Sequence, residues 1–239
     1  MTAAYPGQAR HARVVHALGA AIVRGELGPG AAVPTEDELV TRFAVGRSAL
    51  REGVKVLAGK GLLESRTSAG TRVRPRESWN LLDPDVLRWR YTPQASPADV
   101  AALADLRVAL EPGAARLAAE RASPGQRSAV TAAMAQLWAA VATVGAPDQF
   151  IEADLAFHRA VFAACGNELL LYIHDVISVA LGAIRPLHTD SVVRGRLTLP
   201  AHQRVAEAIQ RGHHRKAEAA MREVVEGART DALRSGGVP

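Results

Sequence analysis

Apolar residues recur three and four apart along nearly the whole chain, and the breaks in that rhythm mark its parts. Residues 1–9 lack the rhythm and are expected to form a disordered tail. Val14, Leu18, Ala21 and Ile22 then share one side of a helix over about 10–24, ended by Gly25. The cluster Gly25-Glu26-Leu27-Gly28-Pro29-Gly30 leaves no room for a helix and predicts a turn. Thr35 is placed to cap the next helix, and Glu38 can reach back to it. Leu39, Val40 and Phe43 form that helix's apolar face, and Ala44 to Gly46 make a tight turn. Gly46 can stand at the next N-cap without a side chain. Leu50, Val54 and Leu57 predict a second helix to about Ala58, stopped by Gly59 and Gly61. Leu62 to Arg66 and Thr71 to Val73 read as two short strands, joined by a hairpin whose Gly70 can take positive φ.

The predicted fold is therefore mainly α. A winged helix-turn-helix of three helices plus a β-hairpin occupies 10–75, and an all-α bundle of six or seven helices occupies 97–235. Between them, 76–96 is a linker broken by Pro84 and Pro93, with Pro75 and Pro97 at its edges. Its Trp79, Leu81, Leu82, Val86, Leu87 and Trp89 make it too apolar for a free tether, so it should pack against a domain. In the bundle, helices are expected over 99–121, with Pro112 kinking the first, then over 124–144, 148–165, 167–184, 199–211 and 213–234. The stretch 186–198 reads as irregular.

Charge sharpens this division. Residues 1–76 hold 12 Lys and Arg against 6 acidic residues, while 77–239 hold 17 against 18, so the positive excess lies in the first third. Arg47, Arg51 and Lys55 fall four apart and make one cationic stripe on the second helix of the helix-turn-helix. That is how such a helix presents itself to the major groove, and phosphate binding needs the charge. No run of eighteen apolar residues suggests a membrane span, and the N-terminus lacks an apolar leader core. The single cysteine, Cys165, suits a reducing cytoplasm and is expected to be a small buried hydrophobe.

The motifs Gly25-Glu26-Leu27-x-Pro29-Gly30-x-x-Val33-Pro34-Thr35-Glu36, Val45-Gly46-Arg47-x-x-Leu50-Arg51-Glu52, Gly61-Leu62-Leu63 and Gly70-Thr71-x-Val73 occur in order. Together they resemble the DNA-binding domain of the GntR family of bacterial transcription regulators. The resemblance implies DNA contacts at Arg47 and Arg51 and a wing tip at Gly70 that enters the minor groove. Thr35, Ser48, Lys55, Arg66 and Arg72 are counted with them, the basic ones chiefly as phosphate contacts. A serine or threonine is usual where Gly46 stands, and an arginine often stands where Asp37 does. Asp37 repels phosphate, so the operator is expected to differ from that of the best-known members. The linker Trp79-Asn80-Leu81-Leu82-Asp83-Pro84-Asp85-Val86-Leu87-x-Trp89 resembles that of members answering to sugar acids such as galactonate. Leu106-Arg107-x-x-Leu110-Glu111-x-x-Ala114-Ala115-x-Leu117-Ala118 and Asn167-x-x-Leu170 resemble the FadR subfamily and its effector-binding C-terminal (FCD) domain.

Asp154 and His158 are i and i+4 on one helix, so they can offer two ligands to one cation. His202, at the start of a later helix, can fold back to meet them. The FCD resemblance implies a divalent metal at these three residues, zinc, nickel or manganese, usually with one more histidine. Val224 stands where that histidine is expected, and valine cannot coordinate. The oxygen of a small acid would complete the ion's shell. Arg107 is a lone charge in an apolar stripe: it either pairs with Glu111 or offers a forked donor to an effector carboxylate. Thr198, His188 and Asn167 are further effector candidates, Asn167 also as a helix cap, whereas His174, His213 and His214 read as surface or satisfied histidines.

These features together predict a transcription regulator, a repressor and not an enzyme. It should bind operator DNA as a homodimer and be released by a small carboxylate such as an aldonate. The alternatives left open are a regulator of the same build with an acyl thioester, amino acid or other carboxylate as ligand, a metalloenzyme using Asp154, His158 and His202, and an architectural DNA protein with a structural metal. A polar pocket holding Arg107 argues against an acyl chain, and a DNA-binding head would be unexplained in an enzyme.

Overall fold

A computed structural model describes residues 10–66, 70–92, 94–142, 147–184 and 191–235, so the expected tail over 1–9 and the hairpin tip 67–69 lie outside the described residues. The chain divides into two compact units, Met1–Arg90 and Tyr91–Pro239.

The first unit holds α1 (Arg10–Val23), α2 (Glu36–Phe43), α3 (Arg47–Gly59), β1 (Leu63–Arg66), β2 (Gly70–Val73), a 3-10 turn at Arg76–Ser78 and α4 (Pro84–Arg90). The capping box forms as the sequence predicts. The Thr35 N–H donates to Glu38 Oε2 at 2.7 Å, and the Glu38 N–H donates to Thr35 Oγ1 at 3.4 Å. Ala44 ends α2 in the left-handed region at φ 51°, the one non-glycine residue there among those described. The turn this makes sets α3 across α2 over a core of Leu39, Phe43, Val45, Leu50 and Leu57. β1 and β2 pair antiparallel with Leu63 opposite Val73 and Arg66 opposite Gly70. The glycine-rich turn adds to this ladder: Gly30 N–H donates to Val73 O and Val33 N–H to Thr71 O, each at 2.9 Å.

The expected linker is part of this unit as far as Arg90. Val86 and Trp89 are buried with α1 in the first core, and the Trp89 ring fills the space beside Gly19. Lys60, at the end of α3, is almost buried and bonds Asp83 at 2.8 Å and Asp85 at 2.9 Å. Burial lowers the Lys60 ammonium's affinity for its proton, but the two carboxylates outweigh it and raise it. The Trp79 indole N–H donates to Arg74 O at 2.9 Å, anchoring the exit from the wing.

The second unit is helical among the described residues: α5 (Pro97–Arg121), α6 (Pro124–Ala142), α7 (Pro147–Ala164), α8 (Glu168–Ile184), α9 (Ser191–Gln210) and α10 (His214–Ser235). Pro112 lies inside α5, buried, without ending it. The stretch read as irregular is helical from Ser191, and α9 runs through Pro200. A proline removes one helix donor. Leu199 and Ala201 beside it are buried in the bundle core, and that packing outweighs the loss. The core also takes Phe157 and Val161 from α7, Cys165 just past its end, Val205 and Ile209 from α9, and Met221 and Val224 from α10. Cys165 is fully buried, as expected, and burial pushes its thiol up.

Gly61 has φ +77°, and a Cβ there would collide with the carbonyl of Ser78. Gly61→Ala is therefore expected to lower stability by about 1–3 kcal/mol, read from urea unfolding followed by tryptophan fluorescence. A variant as stable as the wild type would show that the turn at Gly61 and the 3-10 turn at Arg76–Ser78 can move apart freely.

Candidate DNA-reading face and buried histidine centre

In the first unit, α3 exposes Arg47, Ser48, Arg51 and Lys55. The acidic first turn of α2 lies against them. Arg47 Nη2 meets Asp37 Oδ1 at 2.9 Å, and Arg51 Nε meets Glu36 Oε2 at 3.3 Å. Lys55 pairs with Glu52 on its own helix at 2.8 Å. All three are surface pairs, weak in water and open to exchange. Thr35 is occupied by its cap. Arg72 Nη1 donates to Gly30 O at 3.0 Å, which ties the wing to the glycine-rich turn. Gly70 has φ +71°, and apart from its chain neighbours none of the described residues lies within 4 Å of where a Cβ would stand. Arg66 ends β1, and its side chain lies outside the described residues.

In the second unit, five polar residues from three helices meet in the core. Arg107 and Glu111 of α5, Asp154 and His158 of α7, and His202 of α9 are all at least nine-tenths buried. Arg107 Nε meets Glu111 Oε1 at 2.6 Å, and Nη2 meets Oε2 at 3.5 Å. Glu111 Oε2 in turn lies 2.7 Å from His158 Nδ1. His202 Nδ1 is 2.9 Å from the Thr198 carbonyl, one turn back on its own helix. His202 is thus held by its Nδ1, His158 Nδ1 faces the Glu111 carboxylate, and both Nε2 atoms turn to Asp154. Asp154 Oδ1 is 3.2 Å from His202 Nε2 and 3.8 Å from His158 Nε2. The edge of Phe157 packs against both rings, at 5.7 Å from His158 and 5.3 Å from His202.

The chemistry of this donor set fits a cation. One ligand atom from each of Asp154, His158 and His202 lies within 4.8 Å of the others. Both Nε2 atoms are buried with no hydrogen-bond partner. A buried nitrogen without a partner is costly, and a shared ion would satisfy both. Burial pushes the Glu111 carboxyl up, but the charge of Arg107 and then that of His158 outweigh it and hold it well below the usual carboxylate range. Glu111 is therefore the anion that fixes the His158 ring, the arrangement by which a carboxylate orients a metal-binding histidine.

Two family models match the chain: "Bacterial regulatory proteins, gntR family" over residues 10–73 and "FCD domain" over residues 93–227. The chain belongs to the gntR family, with an FCD domain. It is a DNA-binding transcription regulator. This gntR-family regulator is 36% identical over 166 residues to the "Galactonate operon transcriptional repressor" of Escherichia coli strain K12, covering 70% of this chain and 71% of the relative. It is 30% identical over 206 residues to the "HTH-type transcriptional regulator LutR" of Bacillus subtilis strain 168, covering 84% of this chain and 90% of that one. Among solved structures, it resembles "Streptococcus agalactiae GntR" at 26% identity and a TM-score of 0.52, covering 92% and 99% of the two chains. Listeria monocytogenes Lar, at 17% identity and a TM-score of 0.66 over 94% and 96%, shares the fold.

The structure therefore gathers Arg107, Asp154, His158 and His202 of this regulator into one centre and adds Glu111, which sequence reasoning weighed only as a salt-bridge partner. Thr198 joins the centre through its carbonyl. Asn167 stands past the end of α7, and its carboxamide oxygen caps α8 by accepting from the Leu169 and Leu170 N–H groups at 3.0 and 3.3 Å. His188 lies outside the described residues. Val224 is buried in the bundle core, at the position where the family pattern led us to expect a further histidine. His174, read from sequence as a surface or satisfied histidine, is neither: it is 1% exposed and its ring nitrogens have no hydrogen-bond partner. Its burial follows from α8's apolar stripe, in which Ile177 and Leu181 follow at helical spacing.

Glu111→Gln would leave Arg107 buried without its counter-charge and is expected to cost about 3–5 kcal/mol of stability. The Arg107→Met, Glu111→Leu double variant removes both charges together and should stay folded. It is expected to bind manganese about 10–100-fold more weakly, because His158 loses its anchor. Unchanged manganese affinity in the folded double variant would remove Glu111 from that role.

Proposed function

We propose that this protein is a cytoplasmic, homodimeric repressor that leaves its operator when a sugar acid binds beside a divalent metal in the C-terminal bundle. The observation that carries the reading is the convergence of Asp154 Oδ1 with two imidazole Nε2 atoms, neither of them hydrogen-bonded, in a buried centre. With three protein ligands and valine at position 224, the ion, whether zinc, nickel or manganese, keeps positions open for an effector's carboxylate or hydroxyl oxygen. The likeness to a relative named for the galactonate operon points to an aldonate. Arg107 can serve the same ligand: Glu111 engages its Nε and Nη2, and a guanidinium carries five N–H donors. Thr198 and His188 are the remaining effector candidates, whereas Asn167 serves chiefly as the α8 cap.

On the DNA side, Arg47, Ser48 and Arg51 would face base edges. Lys55, Arg66 and Arg72 would contact phosphate, with Thr35 at the head of α2 and Gly70 at the wing tip. Two such heads match a two-fold operator, which is why a homodimer is proposed. Release requires that the effector favour the unbound placement of the heads, by about 5.5 kcal/mol for a near-complete switch.

Arg47→Ala is expected to weaken operator binding by about 1–3 kcal/mol while leaving thermal stability unchanged. Undiminished operator affinity, measured by fluorescence anisotropy at fixed salt, would remove Arg47 from base reading. The effector is tested by thermal shift against aldonates with and without added manganese or zinc. Ligand at one hundred times its dissociation constant should stabilise by about 2.7 kcal/mol, and a chelator should abolish the shift. A shift only with a carboxylate lacking hydroxyls would keep the regulator and discard the sugar acid.

A further inference from the structure

His174 is the buried polar side chain that the centre described above leaves unexplained. It sits on α8 and stacks on the Phe162 ring, with centroids 4.5 Å apart and planes 22° from parallel. Phe162 is one turn beyond His158 on α7, so the stacked pair continues the row of side chains that holds the metal ligands. The stack fixes the plane of the imidazole and therefore the directions in which its two nitrogens point. Both nitrogens are buried, and neither has a hydrogen-bond partner. A group that served only to fill space here would be better as leucine or phenylalanine, because burying a partnerless polar group is unfavourable.

The ring's charge state defines what it can bind. Burial holds His174 down to about 4, against the pull of Glu111; the positive charge of Arg107 also lowers it, and Asp175 raises it. The imidazole is therefore neutral at physiological pH, with one N–H donor and one lone pair. A carboxylate would use only the donor, and a cation only the lone pair. A hydroxyl group can use either one, and two neighbouring hydroxyls can use both.

We propose that His174 is a specificity-determining contact for the effector, reading hydroxyl groups on the carbon chain of a polyhydroxylated acid whose carboxylate end lies at the Asp154, His158 and His202 centre. This rests on the reading of that centre as a sugar-acid site. It divides the proposed site into two functions: the metal and Arg107 take the acid group, which every carboxylate has, and His174 takes the hydroxyls, which unsubstituted acids lack. A site built to bond a hydroxyl discriminates strongly against the analogue without it, since its own polar group is then left unpaired.

The test is calorimetric titration of the full-length, manganese-loaded protein with D-galactonate and with hexanoate. The wild type should bind galactonate and show little affinity for hexanoate. His174→Phe should lose about tenfold or more in galactonate affinity, the equivalent of one hydrogen bond, with manganese affinity retained. His174→Gln, which restores a donor and an acceptor, should recover most of that loss. If His174→Phe does not fold, His174→Leu takes its place as the apolar variant. Galactonate affinity unchanged in the apolar variant, or lost equally in His174→Gln and the apolar variant, overturns the assignment. A wild type that binds no sugar acid overturns both this inference and the reading it rests on.

Discussion

The buried carboxylate of Glu111 is the interaction around which the C-terminal unit is arranged. It lies between a guanidinium from its own helix and an imidazole from α7, and it is fully buried. A lone carboxylate at that depth would be untenable as an anion. Arg107 makes it tenable, and its charge then orients His158. Because Arg107 and Glu111 are one turn apart on α5, the pair forms with the helix itself. The centre is therefore set by the docking of α7 and α9 onto a preformed ion pair. A buried pair of this kind is weak evidence for stability, since apolar residues of the same volume would do as well. Its value lies in what it holds in place.

The same logic of burial explains why the first unit extends past the winged helix-turn-helix. Lys60 stands at the end of α3 facing inward, and it needs Asp83 and Asp85 to remain charged there. Those two aspartates belong to the segment that leads into α4, while Trp89 fills the space left by Gly19 on α1. The segment between the domains is thus held to the DNA-reading head by both charge and shape. The Lys60 cluster could not be read from sequence: it joins residues more than twenty apart, and neither helical spacing nor composition pairs them.

Much of the remainder was legible because it is local. The capping box at Thr35, the helix boundaries set by glycines, the hairpin and the stripe of Arg47, Arg51 and Lys55 each depend on residues a few positions apart. Asp154 and His158 were legible for the same reason, and His202 through its resemblance to a family pattern. What escaped was non-local. Burial turns His174 from an ordinary surface histidine into a partnerless one, and only the packing of α8 on α7 reveals it. The helical run from Ser191 through Pro200 escaped because Leu199 and Ala201 gain more from the bundle core than the proline forfeits.

If α3 reads DNA as proposed, the carboxylates beside it have a consequence for how DNA binding responds to salt. Arg47 and Arg51 already have anionic partners in Asp37 and Glu36. When an arginine passes from a carboxylate to a phosphate, the phosphate sheds its condensed counterion, but the exposed carboxylate gathers a cation from solution. The net release of ions per contact is smaller than for an arginine that was bare to begin with. On the proposed reading of this face, α3 would approach DNA as a surface of modest net charge whose cations become available only when the fit brings phosphates and base edges close enough to compete. Such a face loses less affinity as ionic strength rises than its arginine count implies, and it has less hold on DNA that does not fit.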